Sequence, residues 1–209
     1  MCANFKPLKK AHAHQLGLFE PTFDYNSDVY PSDDCPMILS QQNEWEWRKV
    51  KFGMLPPYAK EITFKYATYN ARTETVEQKR SFKHAWSHDQ FALIPVEAIY
   101  EPKYINGKAH WYGIFRQDGK PFTLAAIYEE TIIDEQKVRT MSLLTINADR
   151  HSFMKQFHKP DDEKRSIIVI PEDLRNDWLN CKHDEASDFF LDMPLNEFTS
   201  LPKAEMNKS

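Results

Sequence analysis

Glycine is scarce in this 209-residue chain, five residues in all, and the scarcity removes whole classes of chemistry. No Gly-rich loop is available to cradle a nucleotide phosphate, and neither the P-loop nor the dinucleotide fingerprint occurs. The strained serine elbow of the α/β-hydrolases is absent as well. Cysteine is scarcer still: Cys2, Cys35 and Cys181 are too few and too scattered for a disulfide framework or a zinc ribbon. His12 and His14 lack a third ligand nearby, so no metal or cofactor is expected. No apolar run approaches the roughly 20 residues that cross a bilayer, and no hydrophobic stretch of the kind a secretory leader needs follows Met1. A cytosolic setting without a membrane partner is the expectation.

Net charge is −4, not the basic balance of a typical nucleic-acid binder. The charge is segregated, however. Residues 166–209 hold four Lys and Arg against nine Asp and Glu, which leaves the rest of the chain near neutral and able to form a local basic groove. Apolar residues make up 41%, aromatics 13% and charged residues 28%, ordinary globular usage. The length suits a single domain over 2–180 with an acidic, polar C-terminal tail over 181–209.

Periodicity predicts an α+β fold. From Phe5 to about Met37 the chain reads as an extended arm and loops. Gln41–Pro57 alternates Trp45, Trp47, Phe52 and Leu55 with polar residues, a strand pattern. Thr73–Ser87 carries Val76, Phe82, Ala85 and Trp86 at helical spacing. Phe91–Tyr100 is a buried strand despite Pro95. Asn106-Gly107 and Asp118-Gly119 predict tight hairpins that link it to Ala109–Arg116 and then to Phe122–Tyr128. Val138–Ile146 and Ser166–Ile170 read as strands, Asp149–Phe157 as a short helix, and Pro171–Leu179 as a helix with proline in its first turn.

The chemistry-bearing residues are few. Removal of Met1 would leave Cys2 as a terminal 1,2-aminothiol, with an amine of reference pKa about 8 beside a thiol of about 8.5. Such a group condenses with an aldehyde and then closes to a thiazolidine, an intramolecular second step with a large proximity advantage. Standing alone, Cys2 could equally be a frayed end. Asn70 and Arg72 precede the predicted helix as an amide and a planar guanidinium suited to phosphate, or as an ordinary helix entry with Glu74 in its first turn. Glu101 ends the apolar strand and suits general acid/base work, although a solvated carboxylate at a strand end fits as well. His158 could shuttle protons or end a helix.

In combination these elements resemble the SRAP family, the SOS-response-associated peptidase-like proteins that crosslink to abasic sites in single-stranded DNA. The match rests on an ordered set: Met1-Cys2, then Asn70-Ala71-Arg72-Thr73-Glu74-Thr75, then Leu93-Ile94-Pro95 leading to Tyr100-Glu101, then Phe157-His158 before Ile167–Pro171. Phe52-Gly53-Met54-Leu55-Pro56 is a weaker fifth element. The resemblance implies a curved, barrel-like, mostly antiparallel sheet flanked by helices, acting as a monomer. It implies that Cys2 is the nucleophile once Met1 is removed, that Asn70 orients it, and that Glu101 and His158 handle protons. Arg72, Glu74, Asn4 and Lys6 are the implied DNA-binding residues, and autopeptidase and lyase activities are implied alongside the crosslink. Two positions depart from the family pattern. Ala3-Asn4 stands where Gly-Arg is usual, and Pro102 where Trp follows the glutamate. Two alternatives remain open at this point: an N-terminal-nucleophile thiol hydrolase in which the Cys2 amine is the base, and a non-catalytic module that binds single-stranded DNA.

Overall fold

The computed structural model describes residues 2–63 and 67–206. In chain order the elements are strands β1 (Phe5–Pro7), β2 (Asp34–Gln41), β3 (Glu44–Phe52) and β4 (Asn70–Arg72), helix α1 (Lys83–Ser87), strands β5 (Phe91–Ile105), β6 (Lys108–Arg116), β7 (Phe122–Ile133), β8 (Gln136–Asn147), β9 (Arg165–Ile167) and β10 (Val169–Ile170), helix α2 (Arg175–Asn180), strand β11 (Phe198–Pro202) and helix α3 (Lys203–Met206). Short 3-10 turns fill several of the connections.

Five strands close on themselves: β5 pairs with β7, β7 with β8, β8 with β3, β3 with β2, and β2 again with β5. The β3–β8 pairing is parallel and the other four are antiparallel. Closure satisfies the backbone of these strands without leaving a sheet edge. The remaining strands lie outside this path, β1 and β6 on β5, β4 and β9 on β8, β10 on β7 and β11 on β6.

Period-two alternation sorts the side chains into two cores. Cys35, Met37, Phe52, Ala92, Ile94, Leu124, Ala126, Met141 and Leu143 fill the barrel interior, joined by Phe5 and Cys2 from the N-terminal arm. Ile38, Leu93, Ala125, Ile127 and Leu144 face outward, where Trp86, Trp178, Leu179 and Phe189 cover them. Both faces of β5 are dry over Phe91–Val96, which is why that stretch reads as an unbroken apolar run and not an alternation. Trp178 anchors the outer layer by donating its indole N–H to the Ala92 carbonyl at 2.9 Å.

Several sequence expectations are redrawn. The strand expected over Gln41–Pro57 is the second arm of a hairpin, with Gln42 and Asn43 both left-handed (φ 53° and 64°) at its tip. Its first arm, β2, begins within the stretch read as arm and loops, at Asp34, and runs beyond it to Gln41. Asn106-Gly107 does turn β5 into β6, but Asp118-Gly119 does not pair β6 with β7. Both strands run antiparallel to β5 along the same edge, β6 against Ile99–Ile105 and β7 against Phe91–Val96, so they follow one another in the same direction and cannot form a hairpin. The helix expected over Thr73–Ser87 is regular only over Lys83–Ser87, and the helix expected over Asp149–Phe157 reduces to a 3-10 turn at Met154–Gln156. The apolar residues of both stretches are buried as the spacing requires, so burial was legible where backbone form was not. Residues 198–206, expected to trail away in the acidic tail, carry β11, which pairs with β6 over five residues, and α3.

Among the described residues no helix is long and apolar enough to cross a membrane. No group of three or more His, Cys, Asp or Glu among them could hold a metal ion.

Candidate active site

The N-terminal arm enters the site as a strand. Phe5 and Lys6 of β1 pair with Ile99 and Ala98 of β5, and the Phe5 ring packs edge-on against Phe52 inside the barrel, 5.1 Å between centroids. That anchoring carries Cys2 with it, and the residue is 1% exposed. The Cys2 thiol donates to the Asn4 carbonyl at 3.5 Å, and the same carbonyl accepts the Tyr100 N–H at 2.9 Å. Burial first, and then the negative charge of Glu101, hold the Cys2 thiol well above the usual thiol range. At neutral pH this sulfur is protonated.

Asn70 opens β4, a three-residue strand held parallel to β8 by the Asn70–Leu143 register. Its side-chain amide donates to the Cys2 carbonyl at 2.7 Å. Asn70 Oδ1 is buried and has no hydrogen-bond partner among the described residues. A buried acceptor without a partner costs about 1–3 kcal/mol, which marks the position as one awaiting a donor.

Glu101 lies on β5 immediately past the apolar run, and is 2% exposed. Its Oε2 lies 2.8 Å from His158 Nε2, across 57 residues of sequence. His158 reaches it from a left-handed backbone (φ 65°), a conformation that a non-glycine residue adopts at a cost and that clusters at functional sites. The His158 N–H donates to the Pro102 carbonyl at 2.7 Å, which locks that conformation. The other ring nitrogen, Nδ1, is buried and has no partner among the described residues. The chain thus joins a buried carboxylate to an imidazole with one nitrogen unengaged.

Two clefts meet at Arg72. One, of about 770 Å³, is lined by Tyr58, Thr68, Asn70, Arg72, Thr75, Lys79, Arg80 and Phe82 among others, with no carboxylate in the wall. The other, of about 520 Å³, runs past His158, Pro102 and Tyr104 to Lys159, Asp161, Asp162, Glu163 and Arg165. Arg72 is half exposed and pairs with Glu163 at 2.8 Å.

The other sequence-designated residues have firm structural engagements. Glu74 grips the buried Arg165 with both oxygens, at 2.8 and 2.9 Å, and that guanidinium lowers the Glu74 pKa. The Asn4 side chain is buried: it donates to Asp28 at 2.6 Å and to the Val29 carbonyl at 3.0 Å, and it accepts from Lys203. Lys6 pairs with Glu97 at 3.1 Å, and the two line a separate hollow with His12 and Arg116. Cys2, Asn70, Glu101 and His158 therefore converge, and Arg72 borders them. Asn4 adjoins the group as a support, while Glu74 and Lys6 are committed to ion pairs. Sequence reasoning missed Lys79 and Arg80, whose only signal was two adjacent cations in a stretch read as helix surface. Met1 lies outside the described residues, and with it the expectation that it is removed.

The sequence profile described as SOS response associated peptidase (SRAP) matches residues 1–206. A Bacillus subtilis relative, abasic site processing protein YoaM, is 25% identical over 202 residues, covering 92% of this chain and 84% of its own. Abasic site processing protein YedK of Escherichia coli is 28% identical over 187 residues, covering 88% of this chain and 78% of its own. A crystal structure of a Bordetella bronchiseptica protein superimposes with a TM-score of 0.91 at 27% identity, covering 96% of this chain and 99% of that one. A Bacteroides thetaiotaomicron structure at 17% identity shares the fold, with a TM-score of 0.79 over 100% of this chain and 95% of the other.

Proposed function

Since the chain belongs to the SOS response associated peptidase family, we propose that it captures abasic sites in single-stranded DNA as a covalent thiazolidine on Cys2. The observation that carries the reading is convergence. The buried Cys2 is held through its carbonyl by Asn70 at 2.7 Å, and Glu101, whose charge acts on the Cys2 thiol, pairs with His158 at 2.8 Å. The names of the relatives, which are abasic site processing proteins, support the choice of substrate.

With Met1 gone, the Cys2 amine adds to the aldehyde carbon of the ring-opened abasic sugar, and loss of water gives the imine. The Cys2 sulfur then adds to the imine carbon while its proton passes to the nitrogen, closing the five-membered ring. The raised thiol pKa fits this order, because the sulfur stays protonated while the amine, with a reference pKa of about 8, reacts first. Asn70 Oδ1, the unpartnered acceptor, can take an N–H from the terminal amine and aim its lone pair. Glu101 and His158 act as one proton-handling unit: the pair supplies a proton for departure of the hydroxyl and relays the thiol proton to the nitrogen at ring closure. Arg72, Lys79 and Arg80 provide a basic wall for phosphates, with Glu163 paired to Arg72 at its edge, so affinity should fall as salt rises.

The test is direct. Mature protein, its N-terminus checked by mass, is incubated with single-stranded DNA that carries one abasic site. A denaturation-resistant adduct is expected with wild type and none with Cys2→Ala. Absence of adduct from wild type with a free Cys2 amine would sink the reading. Acyl-enzyme formation on amides would favour a thiol hydrolase instead.

A further inference from the structure

The two ends of this chain meet beside the nucleophile. Strand β11 extends the sheet outward from β5 through β6, so that Pro202, Tyr112 and Glu101 form one row across the three strands. The chain then turns into α3, and Lys203 folds back over the N-terminal arm. Its ammonium donates to Asn4 Oδ1 at 2.6 Å, to Asp28 Oδ2 at 2.7 Å and to the Tyr30 hydroxyl at 3.2 Å. It also lies 3.9 Å from the centroid of the Tyr100 ring, a cation–π distance. Met206 secures the far end of the turn against β6. A Cβ built on Gly113 would fall 1.7 Å from Met206 Sδ, so the Met206 side chain uses the space that the missing side chain of Gly113 leaves.

Asn4 is consequently saturated on its side chain: both acceptors of its amide hydrogens and the donor to its oxygen are fixed, the last by Lys203. Its backbone carbonyl is the group that receives the Cys2 thiol. A single residue, Ala3, separates the pinned side chain from the reacting sulfur and amine, so freedom at Asn4 becomes freedom at the nucleophile.

We infer that Lys203 is a positioning residue: from the opposite end of the sequence it fixes Asn4 and Asp28 and thereby sets the orientation of the Cys2 aminothiol. This inference rests on the proposed aldehyde chemistry of Cys2. Lys203 touches neither substrate nor the reacting atoms. It acts through Asn4, and its removal leaves Asn4 Oδ1 without its donor and Asp28 without its cation, while the stem contacts can be kept.

The experiment uses full-length mature protein with Lys203→Met, Lys203→Arg and Asp28→Asn, and a destabilised control, Leu179→Ala, in the outer core away from the site. Two rates are followed: thiazolidine formation with propionaldehyde by mass, and adduct formation with saturating abasic single-stranded DNA. Melting temperature and the Kd for an intact single strand are measured in parallel. Since an ångström of misplacement can cost about a hundredfold in rate, Lys203→Met should slow both reactions about tenfold. The Kd for intact strand should change less than twofold, Lys203→Arg should recover most of the rate, and Asp28→Asn should give a smaller loss. The inference is overturned if Lys203→Met reacts within twofold of wild type, or if Leu179→Ala slows the propionaldehyde reaction as much. Should Lys203→Met fail to fold, Asp28→Asn decides by the same criterion. Slowing with propionaldehyde in a protein that forms no DNA adduct would remove the abasic-DNA reading and leave the positioning role standing.

Discussion

Among the described residues, two histidine–glutamate pairs join a buried carboxylate at nearly the same bond length, and they differ in what surrounds the bond. Glu101 meets His158 at 2.8 Å, and Glu129 meets His84 at 2.7 Å. Both carboxylates are 2% exposed. His84, however, sits on α1 with its side chain 43% exposed, and its ring stacks on His88 with centroids 4.1 Å apart. Glu129 is further occupied by the backbone N–H of Glu130 at 3.1 Å. His158 is buried and strained at its backbone, and its Nδ1 has no partner among the described residues, while Glu101 lies close enough to Cys2 to raise its thiol pKa. The first pair ties a helix to the barrel wall. In the proposed mechanism the second pair moves a proton, because the Cys2 thiol near Glu101 must lose one. A His–Glu contact carries no function by itself; the vacancy beside it does.

The largest expected difference follows from that contrast. Glu101→Gln keeps the shape but removes the carboxylate charge, and general acid/base partners contribute about 10²–10⁴-fold. Adduct formation with abasic single-stranded DNA should therefore drop by at least about a hundredfold, and His158→Gln should fall in the same range. Glu129→Gln and His84→Gln should leave the rate within about twofold while lowering stability by about 1 kcal/mol, the net worth of a typical hydrogen bond. Quench-flow or gel time courses at saturating DNA, alongside urea titrations, separate the two outcomes. Comparable rate losses from both pairs would erase the distinction drawn here.

A smaller effect sharpens it. Beside the reactive pair, Glu163 holds Arg72 at 2.8 Å with one oxygen and Arg165 at 3.0 Å with the other. Its carboxylate occupies the fork that a phosphate would use. A half-exposed pair of this kind is worth little to stability, about 0–1 kcal/mol, but any DNA phosphate that reaches Arg72 must displace it. Glu163→Gln should thus bind single-stranded DNA about threefold to fivefold more tightly at low salt, with the gain shrinking as salt screens it. Fluorescence anisotropy across a salt series measures this, and weaker binding would show that Glu163 supports the groove instead of competing for it. The corresponding change beside the other pair, Glu130→Gln, should leave DNA affinity unaltered.

Part of this contrast could be read in the sequence and part could not. Phe91–Tyr100 announced a buried strand, dry on both faces over Phe91–Val96, and Glu101 followed as the first polar residue beyond it. The turn at Asn106-Gly107 fixed one hairpin through local backbone chemistry. Asp118-Gly119 signalled a turn equally well, yet the partner of the strand that follows was decided by barrel closure, a property of the whole sheet. His158 and Glu101 lie 57 residues apart, and spacing offered no reason to prefer that pair to His84 and Glu129. The ordered motifs supplied the preference, not periodicity. Lys203 and Asn4, separated by 199 residues, left no local trace at all, because an ion network between chain ends has no period.

The smallest effect concerns thiols and isolates burial from its neighbours. Cys2 and Cys35 are both buried, and burial raises both thiols well above their usual range. Glu101 adds to the effect at Cys2, and Asp34 and Asp33 add to it at Cys35. Cys181 is pushed up to about 12 by burial. In the unfolded chain these thiols titrate near 8.5. Below that pH both states keep the proton and stability is unaffected. Above it the unfolded state releases protons that the folded state retains, so stability falls as pH rises, by up to about 1.4 kcal/mol per pH unit for each thiol. Cys35→Ala deletes one such contribution without touching the reactive site. Whatever its absolute cost, it should reduce the loss of stability between pH 8 and 9.5 by about 1 kcal/mol relative to wild type. Denaturant titrations at the two pH values provide the measurement, and adduct formation should not change by more than about twofold. An unchanged alkaline slope would mean that Cys35 is not the shielded thiol its burial indicates, and the protonated state assigned to Cys2 on the same ground would fall with it.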